Sequence, residues 1–276
     1  LPEFFVTCQA ALRGLSDFAI GNIIGSNISN LGLVLGVMAI ISPLSLSKTE
    51  LNWNYVPLTL ITIIFSIGIY TLYFFNTLYG LLSIILLLVF SVILVKKGGQ
   101  LIENEEYSKS DLLFILGFQL KIKHTILFVL SLILGSIILW AGTNLLIESS
   151  KKIATIFGVS DRVIAISLVA IGTSLPELFA SIYSILKSEQ KMAIGNILGS
   201  NIFNILAVIG FTSLITDINI NKNMIIDALF MLGLTLLLIP LFYIRKQPND
   251  MIRINRTGGL ILFSFYVTYL TILMIS

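Results

Sequence analysis

The chain has 276 residues, of which 57% are apolar and 11% charged, with 17 Lys and Arg against 14 Asp and Glu for a formal net charge of +3. Globular proteins average roughly 45–50% apolar and about 25% charged residues, so a soluble protein of this size would lack the charge to cover its surface, and the chain is made for lipid. The small net charge, without a long block of one sign, argues against nucleic acid as a partner, while a single cysteine, Cys8, and a single histidine, His124, exclude a disulfide framework, a Cys-based zinc site and a His cluster.

The chain opens with an apolar stub, 1–12, that begins Leu1-Pro2-Glu3 and has neither the basic region nor the start Met of a signal peptide. It reads as the second half of a helix whose first half is absent. A spanning helix needs about 20 mostly apolar residues. Stretches 18–47, 54–75, 77–95, 125–147, 192–216 and 257–276 meet this without any Asp, Glu, Lys or Arg. Stretch 163–186 carries only Glu177, and 223–244 carries only Asp227, in a first turn where the helix dipole favours a carboxylate. That predicts eight spans. The one long connection, 96–124, is rich in Lys and Glu, and its apolar run 112–120 is too short to span, which predicts an interfacial segment. Trp53 reads as an interface anchor, Trp140 as a packing residue, and Cys8 as a small apolar filler. Glu148 and Asp161, at span ends, read as solvated.

Counting connections alternately, one side holds five basic residues (Arg13, Lys151, Lys152, Arg162, Lys222) and the other the remaining twelve of the 17. The excess predicts that the second side, with the 96–124 linker, is cytoplasmic and the C-terminus extracytoplasmic.

An internal repeat is the strongest signal. Leu1-Pro2-Glu3 recurs as Leu175-Pro176-Glu177, and the run from Gly21-Asn22 through Gly25-Ser26-Asn27 to Asn30 recurs from Gly195-Asn196 through Gly199-Ser200-Asn201 to Asn204, both at an offset of 174. Residues 1–40 and 175–214 agree at 17 of 40 positions without gaps. Apolar composition can match Leu and Ile by chance, but not Pro, Glu, Gly, Ser and three Asn in register. An odd number of helix starts separates the copies, so the second is inverted in the membrane. Inverted repeats of this kind build one site near the bilayer midplane from broken helices of both halves.

The repeated residues suit hard cations. Thr173, Glu177 and Ser181 share one helix face at i, i+4, i+8, and the first copy keeps Glu3 and Thr7. Pro176 has no amide hydrogen and crowds the carbonyl of Gly172, which predicts a loosened helix with freed backbone oxygens. Asn22, Ser26 and Asn30 form a second stripe, duplicated as Asn196, Ser200 and Asn204; these stripes suit either a ligand or hydrogen-bonded helix packing. The Gly-x-x-x-Gly pairs read as close helix packing. Two carboxylates with neutral oxygens favour Na+, K+ or Ca2+ over Zn2+ or Cu+. Two ionised Glu in lipid require a compensating cation, one Ca2+ or two Na+.

Gly172-Thr173-Ser174-Leu175-Pro176-Glu177, followed by Gly195-Asn196-x-x-Gly199-Ser200-Asn201-x-x-Asn204, resembles the second alpha-repeat of the cation/calcium antiporter superfamily, of the sodium/calcium exchanger type; residues 1–40 resemble most of the first. The resemblance implies an all-α fold, a polytopic transmembrane bundle of inverted five-helix repeats with eight full spans and a half helix present of ten. It divides the chain into 1–95, the first repeat without its N-terminal part; 96–124, a cytoplasmic linker; and 125–276, the second repeat. Subtracting 174 from 125 puts the counterpart of that span about 50 residues before Leu1, so the chain reads as N-terminally truncated. The resemblance further implies Glu3 and Glu177 as central ligands, joined by Ser26, Asn30, Thr173, Ser174, Ser200, Asn204 and the backbone carbonyl of Ala170. Some family members carry Asp where Asn204 stands, and the linker has no room for calcium-sensing domains.

The function expected is therefore secondary-active exchange of Ca2+ for Na+ by alternating access, in a plasma or inner membrane, with inorganic cations and the bilayer as partners, no cofactor, no enzymatic activity and no required oligomer. Ca2+/H+ antiport is the nearest alternative, and a passive cation channel the next.

Overall fold

The computed structural model describes residues 1–103, 122–243 and 251–275; the apolar run 112–120 lies outside the described residues, as does most of the 96–124 linker. Nine helices carry the described fold: α1 (Pro2–Leu12), α2 (Ser16–Ile41), α3 (Lys48–Thr71), α4 (Thr77–Glu103), α5 (Ile122–Phe157), α6 (Asp161–Leu186), α7 (Gln190–Ile215), α8 (Met224–Tyr243) and α9 (Arg256–Ile275). Each of the eight from α2 onward contains a span long and apolar enough to cross a membrane, the number expected. At 11 residues α1 is too short to do so.

The duplication is visible in local structure. α1 ends on Gly14, in the left-handed region at φ 74, with the Gly14 and Leu15 amides donating to the carbonyls of Ala11 and Ala10, both at 2.9 Å. Its counterpart at the end of α6 is Ser188 at φ 63, where the Ser188 and Glu189 amides donate to Ile185 and Ser184 at 2.9 and 2.8 Å. Both are helix stops of the kind that glycine favours. Ser188→Gly is accordingly expected to stabilise the protein by about 0.5–1 kcal/mol, read as a higher thermal unfolding midpoint in detergent.

α2 and α7 are the most buried spans, and each contains one wide π turn, Asn30–Val34 and Asn204–Ile209. These start at residues 174 apart. α9 crosses the second half of α2 so closely that a Cβ on Gly259 would stand 2.7 Å from the Gly36 carbonyl oxygen; α4 crosses α7 alike, a Cβ on Gly80 standing 2.7 Å from the Gly210 oxygen. Gly36 and Gly210 are again 174 apart. Each repeat therefore packs its core helix against an outer helix of the other.

Two short antiparallel sheets clip the connections together. β1 (Leu44–Ser47) pairs with β4 (Met251–Ile254), and β2 (Phe74–Phe75) with β3 (Ile218–Asn219). A further contact beside each sheet is duplicated: the Ser45 amide donates to Gln190 Oε1 at 3.1 Å, and the Asn219 amide donates to Ser16 Oγ at 3.2 Å. Each ties the start of one repeat's core helix to the strand that follows the other's.

Several side chains differ from expectation. Trp140, read as packing, is 58% exposed on the outer face of α5 among Leu134, Ile137 and Ile138, a surface that suits lipid. Helix α6 is not loosened at Pro176: it is regular from Ala170 to Leu186, and its wide turn lies upstream at Ala165–Val169. Proline's φ is already helical, so the cost falls on one carbonyl, that of Gly172, which loses its i+4 donor. Glu148, at its solvated end, stands 4.0 Å from Arg13, and Asn144 accepts from Arg13, joining α1 to α5.

Asp227 does more than face a helix dipole. Arg162 Nε and its second nitrogen reach the two Asp227 oxygens at 2.6 and 3.0 Å, and Tyr269 donates to Asp227 Oδ1 at 2.7 Å, joining α6, α8 and α9. Asp227 is buried. Removing one partner of a buried ion pair costs about 3–5 kcal/mol, whereas replacing both with apolar groups costs far less. Arg162→Met is expected to lower the unfolding midpoint strongly, and Arg162→Met with Asp227→Leu to regain most of the loss.

Candidate cation-binding site

The repeats bring their motifs together where α1, α2, α6 and α7 meet. Glu3 on α1 and Glu177 on α6 line one cavity of about 350 Å³, with Gly195, Asn196, Gly199, Ser200 and Asn204 of α7. Glu3 is buried on the cavity wall. Glu177 is half-buried. The two repeat-related carboxylates thus share one space.

The remaining expected residues lie on α2, α6 and α7. Ser26 Oγ lies 3.1 Å from Thr173 Oγ1, bridging α2 and α6, and Thr173 also donates to the Ala170 carbonyl at 3.3 Å. Ser174 and Asn30 are buried. Ser200 is half-buried and Asn204 buried, both on the cavity wall. Among the described residues no protein group satisfies Glu3 Oε1, Glu177 Oε2, Ser174 Oγ, Asn30 Oδ1, Asn22 Oδ1 or Ser181 Oγ. All six are oxygens on residues that the repeat stripes and the family motif pick out as ligands or stripe members. Buried oxygen that the protein leaves unmatched is costly, and two of these atoms are carboxylate oxygens of the residues that share the cavity. Among the described residues no three of His, Cys, Asp and Glu come together, so the site's negative charge is that of two carboxylates.

The halves are not used identically. Asn22 serves as packing: its amide donates to Thr7 Oγ1 at 3.1 Å and to the Glu3 carbonyl at 3.4 Å, tying α1 to α2. Its counterpart Asn196 faces the cavity. Gly21 and Gly25 admit α6 to close contact, a Cβ on Gly25 falling 2.6 Å from the Ile166 oxygen, whereas Gly195 and Gly199 have open space around them.

Two residues outside the expected set join the halves. Asn27 and Asn201 each donate to the other's backbone carbonyl at 3.4 Å. The amide of Asn30 donates to Asn201 Oδ1 at 2.9 Å, and that of Asn204 donates to Asn27 Oδ1 at 3.0 Å. All four are buried. The sequence carried a signal for this pair, since both belong to the duplicated Asn set, but they stand one residue off the Ser26 and Asn30 stripe and so escaped a reading based on a single helix face.

Eight helices long and apolar enough to cross a membrane, with two carboxylates lining one cavity, give the architecture of an integral membrane protein with a buried polar site. The family model for sodium/calcium exchanger protein matches residues 1–97 and 127–275, and the chain belongs to that family. It is 34% identical over its whole length to a putative antiporter CaxA of Alkalimonas amylolytica, of which it covers 84%. It is 26% identical to the sodium/calcium exchanger MaX1 of Methanosarcina acetivorans, over 99% of this chain and 85% of that one. A structure of the sodium-calcium exchanger NCX_Mj soaked with Na+ and Ca2+ superposes with a TM-score of 0.68 at 30% identity, over 98% of this chain and 81% of that one.

Proposed function

We propose that this cation antiporter exchanges Ca2+ for Na+ at a single site shared by the two repeats. Glu3 and Glu177 are the central ligands; Ser26, Asn30, Thr173, Ser174, Ser200, Asn204 and the Ala170 carbonyl supply neutral oxygens. The observation that carries the reading is the pair of duplicated carboxylates lining one cavity in a membrane bundle. Two negative charges in that setting are balanced by one Ca2+ or by two Na+ that draw on the same oxygens. Each ion therefore displaces the other, which is the requirement for exchange. The names of MaX1 and NCX_Mj support sodium over protons as the counter-ion.

Radiocalcium uptake into proteoliposomes tests this. An outward Na+ gradient without a pH gradient is expected to drive uptake; uptake driven only by a pH gradient would make the protein a Ca2+/H+ antiporter, and uptake indifferent to both a channel. By the imbalance of basic residues, the linker side is cytoplasmic and the C-terminus extracytoplasmic. A reporter fused after Ser276 that is active only in the cytoplasm would contradict that orientation.

A further inference from the structure

We propose that Asn27 and Asn201 are positioning residues that aim the two site asparagines across the repeats, Asn27 holding Asn204 and Asn201 holding Asn30. The inference rests on the ligand assignment above and extends it to two residues outside the ligand set.

An asparagine side chain has a carbonyl edge and an NH2 edge, and only the carbonyl edge attracts a cation. Which edge faces the site depends on what engages the other. The Asn204 amide donates to Asn27 Oδ1 and the Asn30 amide to Asn201 Oδ1, so each NH2 is turned to the partner repeat. Asn30 Oδ1 is left with no protein partner, and Asn204 lies on the cavity wall. Asn27 and Asn201 are themselves fixed, because each spends its own amide on the other's backbone carbonyl. Their acceptor oxygens have no freedom to turn away. The four contacts form two pairs related by the 174 offset, so one arrangement orients one carbonyl from each repeat. It also starts at the first residue of each π turn, Asn30 and Asn204, where π segments often mark function.

The test is a crossed double-mutant cycle in the full chain, reading the half-saturating Ca2+ concentration for radiocalcium uptake and, separately, the unfolding midpoint without Ca2+. Loss of one orienting hydrogen bond is expected to raise half-saturation about tenfold in Asn27→Ala. In an Asn204→Ala background, where there is no amide left to orient, Asn27→Ala should change it less than about twofold; in an Asn30→Ala background it should keep its full effect. Asn201→Ala should show the reverse pattern. A role in packing alone predicts the same factor in both backgrounds, and that result overturns the proposal. Should Asn27→Ala fail to fold, Asn27→Ser carries the same cycle. Glu177→Gln, run alongside, separates the two claims. Retained exchange there sinks the ligand assignment, whereas a silent Glu177→Gln with background-independent Asn27→Ala sinks only the positioning role.

Discussion

Glu177→Gln is expected to abolish Ca2+ exchange while leaving the protein folded. The substitution keeps the shape and one oxygen but removes half of the charge at the cavity that Glu177 shares with Glu3. One carboxylate cannot balance a divalent ion where charge is penalised so heavily. Loss of a desolvated charge partner costs about 3–5 kcal/mol, or a hundredfold to several thousandfold in affinity. The fold should tolerate the change, because Glu177 is only half-buried and its Oε2 has no protein donor that the amide would displace. Radiocalcium uptake at wild-type rate by a folded Glu177→Gln protein would withdraw the ligand assignment.

Gly25→Ala is expected to be nearly as damaging by a different route. The added methyl would stand 2.6 Å from the Ile166 oxygen and 2.7 Å from both Ile166 Cα and Ala170 Cβ. Two of these are backbone atoms, which no rotamer change can move. Helices α2 and α6 must separate, and with them Ser26 must leave Thr173, now 3.1 Å away. Overpacking of this kind costs about 1–3 kcal/mol. The repeat-related Gly199→Ala meets nothing within 4 Å and gains helix propensity of about 1 kcal/mol. A lower unfolding midpoint for Gly25→Ala and an unchanged or higher one for Gly199→Ala is the expected contrast; equal midpoints would show that the crossing is looser than drawn.

The repeat made much of the architecture readable before any coordinate. A single offset of 174 anticipates the two carboxylates lining one cavity, and the same offset relates the Gly14 and Ser188 helix stops, the Ser16 and Gln190 contacts and the Gly36 and Gly210 crossings, although Gly25 and Gly199 meet different surroundings. Features outside the register were not readable. Arg162 and Asp227 lie on different helices with no local periodicity to link them, so their ion pair emerges only when α6 and α8 pack. Trp140 shows the limit of composition, since in lipid an outward Trp and an inward Trp have the same sequence context. At Pro176 a missing amide hydrogen predicts a loosened helix, but the helix stays regular from Ala170 to Leu186 and gives up only one bond.

The most direct measurement of whether both repeats build one cation site is anomalous diffraction from crystals of the protein grown with Ca2+ and then with Sr2+. A dominant peak is expected between Glu3 and Glu177, with contacts of about 2.3–2.6 Å from oxygens of both repeats for Ca2+. A dominant peak held by residues of one repeat alone, or lying away from both carboxylates, would contradict it.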